Sequence, residues 1–166
     1  RGLKFGSPAT KLLAYKTLIH PTLEYANVGW FPHTVSNINK VERVPRMAAR
    51  FICNKYSRHV SPSELCRQLG LSSLEKRAKM ARLKFLYELA NDHFNLPKEN
   101  YLIHTSKRLT RYNHGKLYEE DVAHNNCFKF SFFPRTINEW NHLPQNVVHS
   151  SSIEIFLDYV DAHFSS

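Results

Sequence analysis

The sequence predicts an all-α fold, an irregular bundle of about six helices with one short strand or hairpin in the C-terminal third. Three observations carry that expectation. Apolar residues recur at helical spacing through most of the 166 residues. Ser-x-x-Glu capping boxes mark helix starts at Ser61, Ser72 and Ser151. Glycine is scarce, five in all, which favours helices over tight-turned sheets.

In chain order, Ser7-Pro8 pairs an N-cap with a proline at the first helical position, where its missing N–H is no loss. Leu12, Tyr15, Leu18 and Ile19 follow at helical spacing, and Pro21 should break or kink that helix. A second helix is expected from about Asn37 to Cys53. Ile38, Val41, Ala48 and Ile52 make its apolar face, with Arg43, Arg46 and Arg50 in a narrow stripe nearly opposite. Pro45 falls inside this span, so the helix either kinks there or begins there. Ser61-Pro-Ser-Glu64 caps a third helix, which Gly70 ends.

Ser72-Ser-Leu-Glu75 opens what reads as the longest helix, running to about Asn91. Leu74, Ala78, Ala81, Phe85 and Leu89 form one face. Met80, Leu83, Leu86 and Tyr87 lie elsewhere on the cylinder, so this is the candidate central helix of the core. From Lys98 to His124 the pattern fades into a loop carrying Lys107, Arg108, Arg111 and Lys116. Phe128, Phe130 and Phe132 then alternate with Lys129 and Ser131, the period of a strand with one buried face. Pro134 opens a short helix through Trp140, and Ser151-Ser-Ile-Glu154 caps a last one. Residues 1–97 are read as a helical bundle. Residues 98–166 are read as an extension of basic loop, short strand and two helices, packed with it as one unit.

Charge is distributed unevenly. Residues 1–116 hold 21 Lys/Arg against 7 Asp/Glu, and residues 117–166 hold 2 against 7. A net charge of +9 concentrated this way points to an anionic partner for the first two thirds, with nucleic acid foremost. The arginine stripe is the strongest single signal, because guanidinium groups along one helix edge can bind successive phosphates. Arg77 and Lys84 share a face of the long helix, while Lys76, Lys79 and Arg82 point elsewhere.

Catalytic signatures are lacking: no Gly-rich phosphate loop, no nucleophile elbow, no metalloprotease pair of histidines. Glu119, Glu120 and Asp121 read as a solvated acidic run, and a metal-dependent nuclease built on them is the weakest reading. His114, His124 and Cys127 match no common zinc spacing. Cys53, Cys66 and Cys127 lie too far apart for a disulfide framework, which fits a reducing, intracellular setting. No apolar run is long enough to span a membrane. The Phe128–Phe133 run could stack bases, but a buried strand is the expected reading. The chain opens on Arg1 rather than Met, so it reads as a piece of something longer.

Four segments carry a family resemblance: AYKTLIHPTLEYANVGWFPH over 14–33, INKVERVPRMAARFIC over 38–53, LGLSSLEKRAKMARLKFLYE over 69–88 and FKFSFFPRTINEWNHLP over 128–144. In this order they resemble the region that follows the palm in LINE-type (non-LTR) retrotransposon reverse transcriptases. The resemblance implies a thumb-like helical bundle over 1–97 that clamps template–primer, with a C-terminal extension. It also implies that the catalytic carboxylates, and the Mg²⁺ they hold, belong to the fingers and palm. No catalytic residue and no cofactor is therefore expected in this chain. The implied partners are an RNA–DNA hybrid or other nucleic-acid duplex and the fingers–palm portion of the same polyprotein. The implied setting is a nuclear or cytoplasmic ribonucleoprotein.

Arg43, Arg46 and Arg50 match family positions that are usually basic or polar. With Arg77 and Lys84 they are the expected nucleic-acid contacts. His20, Phe31, Pro45, Met47 and His124 depart from the family pattern and suggest a decayed or partial copy. Leu12, Tyr15 and Trp30 are expected on a face left bare without the palm. The rival class is a degenerate or repurposed helical interaction module without nucleic-acid function.

Overall fold

The computed structural model describes residues 2–105 and 114–164, and over these it is all-α. Lys107, Arg108 and Arg111 lie outside the described residues. After a 3₁₀ turn at Gly2–Phe5, α1 (Pro8–Ala14) begins as its cap requires, with Ser7 Oγ accepting the Thr10 N–H at 3.2 Å. Pro21 does not end the helical path. The chain widens into a π turn over Tyr15–Ile19, in which the His20 N–H reaches back to the Tyr15 carbonyl, and continues as α2 (His20–Glu24). A widened turn tolerates a proline that has no N–H to give and whose ring crowds the carbonyl four residues back.

A single turn, α3 (Asn27–Trp30), leads to α4 (Val35–Cys53), the longest helix at 19 residues. Pro45 lies buried inside α4, so the helix does not begin there. α5 (Pro62–Gln68) is capped by Ser61 Oγ and closes at Gly70. There a φ of +64° lets the Leu71 N–H return to the Cys66 carbonyl at 2.9 Å. α6 (Leu74–Ala90) has 17 residues and is second in length, not first. Its cap is Ser73, whose Oγ accepts the Lys76 N–H at 3.1 Å, one residue on from the predicted Ser72. Along α6 only Glu75 and Lys84 are exposed, as a helix apolar on most sides requires.

The predicted strand is corrected. Asn125 Oδ1 accepts the Phe128 N–H at 2.8 Å and starts a one-turn helix, α7 (Asn126–Lys129), and α8 (Phe132–Asn141) follows from Ser131. The alternation of phenylalanines is thus split between two helices. No strand occurs among the described residues. One isolated antiparallel bridge, His104↔Tyr118, is present. α9 (Gln145–Val148) and α10 (Ile153–His163) complete the chain, and Ser152 rather than Ser151 caps α10. Among the described residues, six helices have seven residues or more (α1, α4, α5, α6, α8 and α10).

Two compact units result, Arg1–Ala78 and Lys79–Ser166, the division falling within α6 rather than at residue 97. In the first, Tyr15, Ala49, Ile52, Leu65, Cys66 and Leu71 form one core cluster, and Phe31, Leu74 and Ala78 form another. The second is centred on Leu83, Leu86, Tyr87, Trp140, Phe156 and Val160. There Asn141 binds both backbone groups of Tyr118, accepting its N–H at 3.1 Å and donating to its carbonyl at 2.9 Å. This holds in place a segment expected to be a polar loop.

Candidate nucleic-acid interface

Between residues 37 and 60 stand six Lys/Arg (Lys40, Arg43, Arg46, Arg50, Lys55, Arg58) and one acid, Glu42. The fold treats these charges differently. Glu42 turns inward, 7% exposed, and its Oε1 accepts the Glu75 backbone N–H at 3.0 Å. A carboxylate at a helix N-terminus satisfies an orphan donor and meets the positive end of the dipole. The stretch therefore exposes Lys40, Arg43, Lys55 and Arg58 while its one carboxylate is used inside.

α4 buries Glu42, Pro45, Ala49 and Ile52. At about 100° per residue, the arginines stand between roughly 80° and 140° from the centre of that face, on its flank rather than its back. Arg43 is exposed and forms no ion pair among the described residues. Arg46 is half-buried and lines a cavity of about 220 Å³ with Glu42, Ser63, Cys66 and Ser73. Burial raises the pKa of the Cys66 thiol, whose S–H points to the Pro45 carbonyl at 3.6 Å, so it is no activated nucleophile. Arg50 braces the loop beyond α4, donating to the Tyr56 carbonyl at 3.1 Å and the Val60 carbonyl at 3.3 Å.

Arg77 has a structural partner. Its Nη2 donates to Glu24 Oε2 at 2.9 Å, and its Nε donates to Glu24 Oε1. The side-chain hydrogen bond from Arg77 lowers the pKa of the Glu24 carboxyl, outweighing the rise that burial causes. Arg77 is thus tied to α2 rather than open to a phosphate. Lys84 belongs to the second unit, is 47% exposed, and has its Nζ 3.9 Å from Glu88. The sequence-predicted residues therefore differ in what they touch. Among the described residues Arg43 and Arg46 form no ion pair, Arg50 shapes a loop, and Arg77 holds an ion pair.

The expected bare face is also rearranged. Tyr15 is buried, Leu12 is half-buried, and Trp30 is 45% exposed with its Nε1–H on the Tyr25 carbonyl at 2.6 Å. Leu13 and Leu18 are each more than 60% exposed, more open than Trp30. Sequence reading missed Lys11, 2% exposed, whose ammonium donates to Asn54 Oδ1 at 2.9 Å and the Phe51 carbonyl at 3.4 Å. A cation at the C-terminal end of α4 suits the dipole there.

Among the described residues no group of three or more His, Cys, Asp or Glu is gathered to hold a metal ion. Glu120 accepts amide N–H groups from Asn138 and Asn141, both at 3.1 Å, and Glu119 and Asp121 are exposed. His114 is buried. Its Nδ1 accepts the Lys116 N–H at 3.3 Å and its Nε2 donates to the Trp140 carbonyl at 3.1 Å. No described helix is long and apolar enough to cross a membrane. Compared with family models, with curated proteins and with solved structures, the chain finds no match in any of the three.

Proposed function

We propose that the first unit grips nucleic acid through the basic edge of α4, as the non-catalytic, thumb-like part of a retrotransposon RNA-directed DNA polymerase. The supporting observation is the asymmetry between residues 37 and 60: six cations whose one acidic neighbour is turned inward to cap α6. Arg43 to Arg50 covers about 10 Å along the helix, roughly three steps of one duplex strand. Phosphate neutralisation positions the duplex and releases counterions, and the chemistry belongs to carboxylates and Mg²⁺ on the fingers and palm. Arg43 and Arg46 are the primary contacts. The setting that follows is a ribonucleoprotein in nucleus or cytoplasm.

Binding of a labelled RNA–DNA hybrid by the full chain, followed between 50 and 200 mM salt, tests this. A steep linear fall of log affinity with log salt is expected. No binding at 50 mM overturns it. The second reading, a helical module that docks protein, draws on the exposure of Leu13 and Leu18. It predicts no hybrid binding and concentration-dependent association.

A further inference from the structure

We infer that the loop between α4 and α5, residues 54–60, is a stacking platform for an unpaired base at the single-stranded edge of the nucleic acid. The inference rests on the proposed grip by α4 and names the form of ligand that grip prefers. The backbone of this loop is fixed at both ends. Asn54 takes a left-handed conformation (φ 53°) and its side chain is held by buried Lys11, while the Lys55 N–H returns to the Arg50 carbonyl at 3.1 Å. Arg50 then clamps the Tyr56 and Val60 carbonyls, and the Val60 N–H closes a turn on the Ser57 carbonyl at 3.3 Å.

On this braced backbone the side chains of residues 55–59 face water. Tyr56 is 62% exposed, and its ring stacks on no other ring among the described residues. Lys55, Arg58 and His59 are exposed around it, and the loop contains no acid. An aromatic face set among cations suits single strands, where the base stacks and the cations meet the flanking phosphates. Bases within a duplex are already stacked, so the unpaired base beside the duplex is the one this ring can take. Because Arg50 belongs both to the α4 edge and to the brace, the platform continues that edge past the helix end.

The test uses the full chain and RNA–DNA hybrids with and without a single-stranded overhang that carries 2-aminopurine. Binding should quench the overhang fluorophore. Tyr56→Ala should abolish the quenching and weaken overhang binding about tenfold, leaving blunt-hybrid affinity unchanged. Tyr56→Phe should behave as the parent, and unfolding midpoints should coincide because Tyr56 is exposed. If Tyr56→Ala quenches and binds like the parent, the platform is refuted while the α4 grip stands. If the parent binds neither hybrid, both fall.

Discussion

Glu42 on α4 accepts the backbone N–H of Glu75 at 3.0 Å, so a carboxylate from one helix closes the N-terminus of another. The contact acts on two levels. It gives α6 an acceptor and a favourable charge at its positive end. It also withdraws from the α4 edge the one acid that would offset its cations.

That contact sets a first prediction. Glu42→Gln keeps an acceptor and loses the charge, and should cost about 0.5–1 kcal/mol. Glu42→Ala removes the cap and leaves space beside the cavity, and should cost about 2 kcal/mol. Urea midpoints at constant m-value measure both. Equal and negligible costs would mean that α6 is capped without Glu42.

The arginines should separate by what they touch. Arg43→Gln should leave stability within about 0.5 kcal/mol and reduce the salt dependence of hybrid binding by about one phosphate contact. Arg50→Gln removes two hydrogen bonds to carbonyls and should lower stability by about 1–2 kcal/mol, with faster proteolysis of the loop it braces. Identical effects of the two on salt slope and stability would contradict this division.

Acid should loosen the first unit through Glu24. Arg77 holds the Glu24 carboxyl below its usual range, so the pair contributes stability above about pH 4.5 that is lost as pH falls through the lowered folded value. The loss should be about 1 kcal/mol, modest because Arg77 is 40% exposed. Arg77→Gln and Glu24→Gln should each flatten the stability curve below about pH 4.5. His20, lowered mainly by burial, acts in the same direction from 6.5 downward, and its Nε2 lies 3.5 Å from Glu24 Oε1, so the two titrations are coupled.

The features legible in sequence were those fixed by local chemistry. Ser7 and Ser61 could be read as caps because each precedes a proline that starts a helix. At Ser72/Ser73 and Ser151/Ser152 the second serine is the cap, a choice the sequence leaves open because adjacent serines offer equivalent oxygens. Phe128, Phe130 and Phe132 read as a strand because alternation carries no sign of the Asn125 cap that puts Phe128 in one helix or of the second helix that starts at Phe132. At the site, the stripe on α4 was visible as periodicity, but a partner 53 residues away decided the role of Arg77. Lys11 was invisible for the same reason, as only the tertiary fold delivers Asn54 and Phe51 to its ammonium.

In the second unit, Arg82 and Glu139 should be strongly coupled. Arg82 is 2% exposed and its Nη2 donates to Glu139 Oε1 at 2.8 Å, with Arg135 Nε 3.6 Å from the same oxygen. Glu139→Ala strands a buried guanidinium whose Nη1 already lacks a partner, and should cost about 3–5 kcal/mol. The double change Arg82→Met with Glu139→Leu should cost far less than the single one, because no charge is left buried. A double-mutant cycle measures the coupling, and additive costs would show that the pair does not act together.

His114 should make the second unit sensitive to mild acid. With Nδ1 accepting the Lys116 N–H, the ring proton sits on Nε2, which donates to the Trp140 carbonyl. Protonating Nδ1 would break the first bond and place a charge in a site 1% exposed. Burial accordingly lowers the His114 pKa below 6.5, so the folded state binds fewer protons than the unfolded one. Stability is then full above about pH 6.5 and declines as pH falls towards the lowered folded value, below which it levels off. His114→Gln has no titrating ring and should flatten that decline below about pH 6.5, at the cost of lower stability at pH 7. Tryptophan fluorescence is a suitable readout, because Trp140 is 1% exposed and its Nε1–H is bonded to the Lys116 carbonyl at 2.9 Å. An unchanged slope in the variant would mean that other groups carry the acid sensitivity.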